Sequence, residues 1–573
     1  MTTSDARVDP HGTLLRTPPR TVASTFPIVR WIRTYTWQRD LPVDMLAGFA
    51  LAALVVPESM GYAGVAGMPP EVGLYAALAA LCAYAIVGGT SILVVGPASA
   101  VAAMSASVVG EFGSDVNPIA LTAALAITSG VLLVVGGVLR LGWIVNFVSK
   151  PVLEAFVVGL AISIIVGQLH GLLGIEVHGD SVVAKVVDVF RELDTAHVVS
   201  VCIGVGSLLA LLLLERVARR VPAAVTVVVA GIVAAVLFDL SDRGVDLVGQ
   251  IPSGLPDLAI PDLSATRWAE LLAGGAALVL VGFSEGYASA TAVAEETGEQ
   301  VDADQELIGA GAANIAAGLV GGLAVGGSLS KSAASQKAGA RSQMANVVAA
   351  AVVLAALLFL APLFEQLPEP VLSAIVIAAV LRSANPRRVA RLWTINRMDF
   401  AAGLVTFVLV LVWETLPAMI VGIALSLVFL VRRASFPDVV ELGQDPGGEF
   451  RRRGAMDTSA LPADVGVVRF DAPLIYANAE RLRAAVRTLV DHRPDVTVVV
   501  FDGEMISDLD ITGADVLERV DDDLTSRHVE LRVARLHHRA RGQLDRSHLR
   551  DRFEGRLYPT LRSAIDGVAR ATD

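Results

Sequence analysis

The sequence predicts a polytopic α-helical membrane protein of about fourteen transmembrane segments, arranged as a 7+7 inverted repeat and followed by a small cytosolic α/β domain. Three observations carry this. Of 573 residues, 54% are hydrophobic and only 18% are charged, with a mean hydropathy of +0.62, more apolar material than a water-soluble core of this length needs. The apolar stretches form two runs of seven, parted by the Asp-, Pro- and Gly-rich loop Asp239–Thr266. Beyond Ser435-Phe436-Pro437 the pattern changes to short apolar strands and amphipathic helices. The expected division is therefore a cytosolic N-terminal segment at 1–42, a transmembrane domain at 43–435, and a linker with the cytosolic domain at 436–573.

In chain order, residues up to Thr25 mix Pro, Arg, Asp and Thr without an apolar core, the composition of a disordered tail and not of a signal peptide. The first run comprises Met45–Tyr62, Val72–Val87, a short segment near Ile92–Val108, Ile119–Val138, Val152–Leu173, Val198–Leu214 and Pro222–Phe238. The second comprises Trp268–Ala294, Leu307–Leu323, the polar stretch Gly326–Arg341, Met344–Phe364, Val371–Leu381, Phe400–Trp413 and Met419–Val431. Several are shorter than the roughly 20 residues a straight crossing needs, so some helices are broken or tilted. In the C-terminal part, Val465–Phe470, Val496–Phe501 and Val529–Ala534 pattern as strands, and Ala479–Val490 and Ala514–Asp523 as helices. The linker Gly443–Asp457, with Gly, Pro and an Arg triplet, is expected to be mobile.

Orientation follows from the cations. With Met1 in the cytosol, the inner loops hold Arg140, Lys150, Arg216, Arg219, Arg220, Lys337, Arg341, Arg382, Arg387, Arg388, Arg391, Arg397, Arg432 and Arg433, against Lys185, Arg191, Arg243 and Arg267 outside. This register satisfies the positive-inside rule and puts both termini in the cytoplasm of a multi-pass protein of the cell membrane. An odd number of segments in each run makes the second enter from the opposite side, the geometry of an inverted repeat. The formal charge of −12 carries no nucleic-acid signature. Cys82 and Cys202 sit alone in apolar segments, and neither a metal cluster nor a phosphate loop stands out, so no cofactor and no enzyme activity are expected.

The third member of each run is short and polar: Val95-Gly96-Pro97-Ala98-Ser99-Ala100 in one, Gly326-Gly327-Ser328-Leu329-Ser330-Lys331 in the other. Non-helical backbone survives at membrane depth only inside protein or beside a wet cavity. Two half-helices would present free N–H groups and positive dipole ends near the midplane, Pro97 in a first helical turn and Lys331 one turn in, and an anion would bind there. Glu58 follows Pro57 in the first span and Glu285 lies midway through the eighth. A charged carboxylate at that depth is costly unless paired, so each is a candidate proton carrier, and Lys331 is the evident partner for Glu285. The acidic run Glu295–Glu306 has the makings of a solvated turn.

These residues resemble the sulfate permease (SulP) family of anion transporters from about Val43 to near the C-terminus. Pro57-Glu58-Ser59-Met60-Gly61-Tyr62-Ala63 with Ala66-Gly67-Met68-Pro69-Pro70 is similar to that family's first-span signature, and Gln305-Glu306-Leu307 through Gly327-Ser328, Lys331-Ser332 and Ala338-Gly339 to its ninth- and tenth-span pattern. The C-terminal part resembles the STAS domain, with Asp508-Leu509-Asp510-Ile511-Thr512-Gly513 at its Asp-x-Ser/Thr-Gly turn. The resemblance implies core and gate domains built from the repeats, a homodimer, and an anion pocket comprising Glu58 and Tyr62, Ala98, Glu285 and Ser289, and Ser328, Leu329, Ser330 and Lys331. The family commonly has Arg where Lys331 stands; a lysine is a point charge without the guanidinium fork. Sodium-coupled bicarbonate members have Asp at Glu285 and Thr at Leu329, which argues against a sodium site; many eukaryotic members have Gln at Glu58, where a carboxylate suits proton coupling. Thr512 matches a residue phosphorylated in STAS anti-sigma antagonists, so it is either regulatory or a helix N-cap.

The expected function is a secondary active transporter for a small inorganic oxyanion, sulfate first, taken up with protons by alternating access, with Glu58 as proton carrier. Its partners are then the anion, protons, the lipid bilayer and a second copy of the chain, and not nucleic acid. Bicarbonate or a C4-dicarboxylate is the alternative substrate and an uncoupled anion channel the alternative mechanism. A membrane-anchored STAS signalling protein is the rival from another class, against which the intact polar half-helices argue.

Overall fold

The computed structural model describes residues 27–567 except 113–115, 178, 180, 219–220, 253, 384–390, 392–393, 395, 414 and 454–460. The tail up to Thr25, and Arg219, Arg220, Arg387 and Arg388 of the expected loops, lie outside the described residues. The chain divides into two compact units, Met1–Ser426 and Leu427–Asp573.

The first unit is helical. A short α1 (Ile28–Thr34) precedes α2 (Trp37–Val65) and α3 (Pro70–Val87), which starts on a proline where the missing N–H costs nothing. Next come β1 (Val95–Gly96), α4 (Ser99–Gly110), α5 (Pro118–Val138), α6 (Lys150–Leu173), α7 (Val182–Arg191), α8 (Val198–Val217) and α9 (Ala223–Leu237). The second run holds α10 (Ala265–Thr297), α11 (Ala303–Leu319), β2 (Gly326–Gly327), α12 (Leu329–Lys337), α13 (Met344–Ala355), α14 (Glu369–Ser383), α15 (Arg397–Val412) and α16 (Thr415–Ser435). A π-helical turn, Ala356–Leu360, extends α13 towards Phe364. Among the described residues, eight helices are long and apolar enough to cross a membrane.

Small residues let the helices approach. On α5 and α11, a methyl group added at Gly130 would stand 2.7 Å from the Gly311 carbonyl oxygen, and one added at Gly311 2.7 Å from the Gly130 oxygen. Backbones this close exclude lipid and gain packing that larger side chains would forbid. On the other side, α2 packs against α3, α13 and α14.

The segment expected as a span near Ile92–Val108 is extended up to Pro97 and helical only from Ser99. Pro97 thus precedes the N-cap Ala98 and does not occupy a first helical turn. Extended backbone inside a bundle needs partners, and neighbouring amides supply them. The Asn314 side chain donates to the Val325 carbonyl (2.9 Å) and accepts from the Val325 N–H (3.0 Å) at the approach to β2. At the approach to β1, Gln343 and Asn346 donate to the Leu93 carbonyl (3.0 and 2.9 Å), and the Val94 N–H donates to the Ser332 hydroxyl (2.9 Å).

One expectation fails here. Glu306 is not in a solvated turn: it is buried in α11, accepting from the Tyr84 and Thr90 hydroxyls at 2.7 Å each. Asp44, unremarked in the sequence, is buried in α2 and accepts from the Arg341 N–H and the Ser342 hydroxyl at 2.7 Å each, tying α2 to the turn after α12.

The second unit carries a six-stranded sheet in the order β4-β3-β5-β6-β7-β8, from β3 (Val439–Gln444), β4 (Phe450–Arg452), β5 (Val465–Phe470), β6 (Val498–Asp502), β7 (Glu530–Ala534) and β8 (Leu557–Tyr558). The helices α17 (Ala479–His492), α18 (Ile511–Thr525), α19 (His538–Arg546) and α20 (Leu561–Asp566) complete it. Of the expected linker Gly443–Asp457, residues 443–453 hold the end of β3, the turn and β4, a hairpin with Leu442 opposite Arg452 and Gln444 opposite Phe450, and residues 454–457 lie outside the described residues. Thr512 is not the N-cap of α18: Asp510 caps it, accepting from the Gly513 N–H at 2.7 Å, and Thr512 is exposed in the first turn. Buried Asp521 joins α18 to the C-terminal segment through Arg552 (2.6 Å) and Arg556 (2.8 Å).

Replacing Asn314 by Ala leaves two polar groups of Val325 unpaired in a dry interior, at about 1–3 kcal/mol each. Thermal unfolding of the purified full-length protein is expected at a clearly lower midpoint for N314A; an unchanged midpoint contradicts the bracing role.

Candidate functional site

Strands β1 and β2 pair antiparallel, Val95 with Gly327 and Gly96 with Gly326. Each is followed within three residues by a half-helix, α4 or α12, so the antiparallel pairing sends the helices away in opposite directions with their N-termini at the strand pair. Space for this crossing comes from glycine, since a methyl group on Gly327 would lie 2.8 Å from the Gly286 Cα of α10. Ser328 caps α12, its hydroxyl accepting from the Lys331 N–H at 3.4 Å.

Lys331 is the link between the two half-helices. From the first turn of α12 its ammonium donates to the carbonyl of Pro97, at the tip of α4. The same Nζ lies 3.7 Å from Glu58 Oε2 and 5.2 Å from the centre of the Tyr62 ring, both on α2. Lys331 and Glu58 side chains are each only 1% exposed. Burial makes their separation expensive, about 3–5 kcal/mol when one partner of such a pair is removed, because the other charge is stranded. The ring face of Tyr62 adds a weaker electrostatic contact to the ammonium.

The sequence-predicted residues do not all converge equally. Glu58, Tyr62 and Lys331 form one cluster, with the backbone of Pro97-Ala98 against it. Ser328 and Ser330 are half-buried at the start of α12, their hydroxyls 3.2 Å apart, while the Leu329 side chain is 47% exposed and can offer the site only its backbone N–H. Ser289 is buried, and its hydroxyl proton is spent on the Glu285 carbonyl one turn back (2.8 Å). No Glu285–Lys331 ion pair within 4 Å occurs among the described residues: the ammonium pairs with Glu58 instead, while α12 packs on α10 and Glu285 remains near enough for its charge to act on Lys331. A cavity beside the strand pair shares Gly286, Gly326 and Gly327 with the crossing but is otherwise walled by residues such as Tyr84, Phe283, Glu306 and Asn314, and none of the predicted anion-site residues lines it.

One residue of the cluster was not predicted. Arg382, at the end of α14, places Nη2 2.8 Å from Glu58 Oε1, and its Nη1 donates to Glu215 of α8. In the sequence it is one of many loop-flanking cations, and nothing local separates it from Arg387 or Arg391. Its reach to Glu58 is a tertiary fact spanning 324 positions.

Residues 41–406 match the family described as the sulfate permease family, and 460–564 match the STAS domain. A probable sulfate transporter of Mycobacterium tuberculosis is 33% identical over 559 residues, covering 96% of this chain and all of that protein. Sulfate transporter 4.1, chloroplastic, of Arabidopsis thaliana is 28% identical over 536 residues, covering 90% of this chain and 78% of that protein. Among solved structures, SLC26A9 superposes with a TM-score of 0.86 at 19% identity, covering 95% of this chain and 92% of that one. The transmembrane domain of the cyanobacterial bicarbonate transporter BicA superposes at 0.57 and 20% identity, covering 68% and 97%. At such identities the two structures speak to the fold alone.

The crossing makes its own prediction. Gly327→Ala forces a methyl group against the α10 backbone and is expected to cost about 1–3 kcal/mol, whereas a methyl group at Gly96 meets nothing within 4 Å. Thermal unfolding should place G327A well below G96A; equal midpoints contradict the geometry.

Proposed function

The chain belongs to the sulfate permease family, and from that premise we propose that it is a secondary active transporter carrying sulfate inward with protons by alternating access. In this reading it is a homodimer in the cell membrane, each protomer spanning it with fourteen segments in a 7+7 inverted repeat and keeping both termini in the cytoplasm. Residues 43–435 do the transporting, and 436–573 form the linker and the cytosolic STAS domain. The anion seat is the meeting of the α4 and α12 N-termini, with Lys331 as its cation, Glu58 as the proton carrier and Tyr62, Ala98, Glu285, Ser289, Ser328, Leu329 and Ser330 around it.

One observation carries this reading: a buried ammonium at two converging helix N-termini whose counter-charge is a carboxylate of the protein itself. Helix N-termini and an ammonium make a site that favours negative charge. While Glu58 is ionised, that demand is met internally. A proton on Glu58 removes the carboxylate charge that faces Lys331 and Arg382, so an external oxyanion binds better once the proton has arrived. Linkage is reciprocal, and a bound oxyanion raises the affinity of Glu58 for its proton by the same factor. Tyr62, which holds the ammonium by its ring face, keeps Lys331 in place through both states.

Uptake of labelled sulfate into proteoliposomes, with bicarbonate and fumarate as competitors, tests the proposal. With the outside acidic, uptake by the parent protein is expected to exceed uptake without a gradient. Glu58→Gln, which mimics the protonated acid, is expected to keep anion exchange and lose the response to the pH gradient. Lys331→Ala is expected to lower uptake about ten- to a hundredfold, the loss of one charged hydrogen bond. A gradient response that survives in E58Q, or parental uptake by K331A, overturns the assignment.

A further inference from the structure

We propose that Arg382 is a second ligand of the transported anion, and that its guanidinium, once free of Glu58, sets a preference for divalent over monovalent oxyanions. This rests on the reading of the half-helix junction as the anion site.

The geometry of Glu58 is the starting point. Its two oxygens face two different cations: Oε1 lies 2.8 Å from Arg382 Nη2, and Oε2 3.7 Å from Lys331 Nζ. A carboxylate is an oxyanion, and the edge formed by its two oxygens is the edge that a tetrahedral oxyanion also offers. The protein's own carboxylate therefore displays how an incoming anion would be gripped: one oxygen towards the ammonium of α12, the next towards the guanidinium of α14. Lysine at position 331 supplies charge without a fork, and Arg382 brings the planar donor set that Lys331 lacks.

Exposure separates the two cations. Lys331 is 1% exposed and fixed to Pro97, whereas Arg382 is 34% exposed and divided between buried Glu58 and Glu215, itself 30% exposed. Arg382 thus stands at the rim of the cluster, with one carboxylate inside and one outside between which to pivot. When Glu58 is neutral, two cations remain beside one vacated anion position. Arg382 keeps Glu215 at the rim, so a monovalent anion serves the buried Lys331 alone, whereas a divalent anion has charge enough to hold Lys331 and to draw Arg382 away from Glu215. Discrimination is the difference between these two affinities.

The test uses the reconstituted full-length protein and compares the apparent KM for sulfate with the inhibition constant of nitrate, a monovalent oxyanion. Arg382→Gln is expected to raise the sulfate KM about tenfold or more, by loss of a charge-assisted hydrogen bond, while inhibition by nitrate changes much less. Arg382→Lys, which restores charge without the fork, is expected to fall between. Glu215→Gln leaves Arg382 undivided and is expected to lower the sulfate KM, an effect that should vanish in the R382Q background apart from the general gain from removing a nearby negative charge. Equal weakening of sulfate and nitrate in R382Q, no change in either, or an E215Q variant that behaves like R382Q overturns the proposal. Should the parent protein neither transport sulfate nor be stabilised against heat by it, the anion-site reading itself fails, an outcome distinct from a wrong role for Arg382.

Discussion

A lysine ammonium sealed from solvent at the tips of two half-helices is the constraint that the rest of the transmembrane unit serves. Lys331 cannot shed its charge demand to water, so the structure surrounds it with the Pro97 carbonyl, the Glu58 carboxylate and the Tyr62 ring. The partners come from two other stretches of chain, Pro97 ahead of α4 and both Glu58 and Tyr62 on α2. The ammonium therefore holds α12 to α4 and to α2 at once, and any change in its electrostatic environment is felt by three elements together. That is the property a coupled transporter requires: the state of one titratable group must alter the affinity of another site.

The strand pair that brings the half-helices together is itself an unstable thing to put in a bilayer. Its cost is offset by buried amides from helices on either side, Asn314 on one approach and Gln343 with Asn346 on the other, and by glycines that let α10 come close. The tight α5–α11 and α2–α13 contacts then provide a frame stiff enough to keep an unusual backbone in one conformation. Asp44 contributes at the far end of α12, holding the turn that follows it against α2. The helix that carries Glu58 is thus fastened to both ends of the helix that carries Lys331.

How much of this was legible in the sequence depended on whether the signal was local. Glycines and hydroxyls interrupting apolar runs marked both half-helices, and a glutamate after a proline marked Glu58, because polar groups among apolar neighbours stand out by contrast. Arg382 did not stand out, since a cation near the end of an apolar segment is what orientation in a membrane already demands. Glu306 was hidden in the same way among the acids around it, although Tyr84 and Thr90 reach it in the interior. In the C-terminal domain, Asp510 and Thr512 are both good capping residues two positions apart, and only the backbone decides which of them caps α18. The β3–β4 hairpin was missed because its glycines and arginines carry no alternation; its pairing rests on main-chain hydrogen bonds. Glu58 as the nearer partner of Lys331 was hidden for a related reason, as spacing along the chain says nothing about whether α2 or α10 lies nearer the ammonium.

The central claim is that the two half-helix tips and Lys331 form one anion seat whose resident counter-charge is Glu58. A high-resolution density map of the purified protein in saturating sulfate at acidic pH addresses it most directly. The account predicts an oxyanion within hydrogen-bonding distance of the Lys331 ammonium and of the first backbone N–H groups of α4 and α12, with the Glu58 carboxyl withdrawn from the lysine. Sulfate bound away from the junction, with Lys331 still against Glu58 and Pro97, would contradict it.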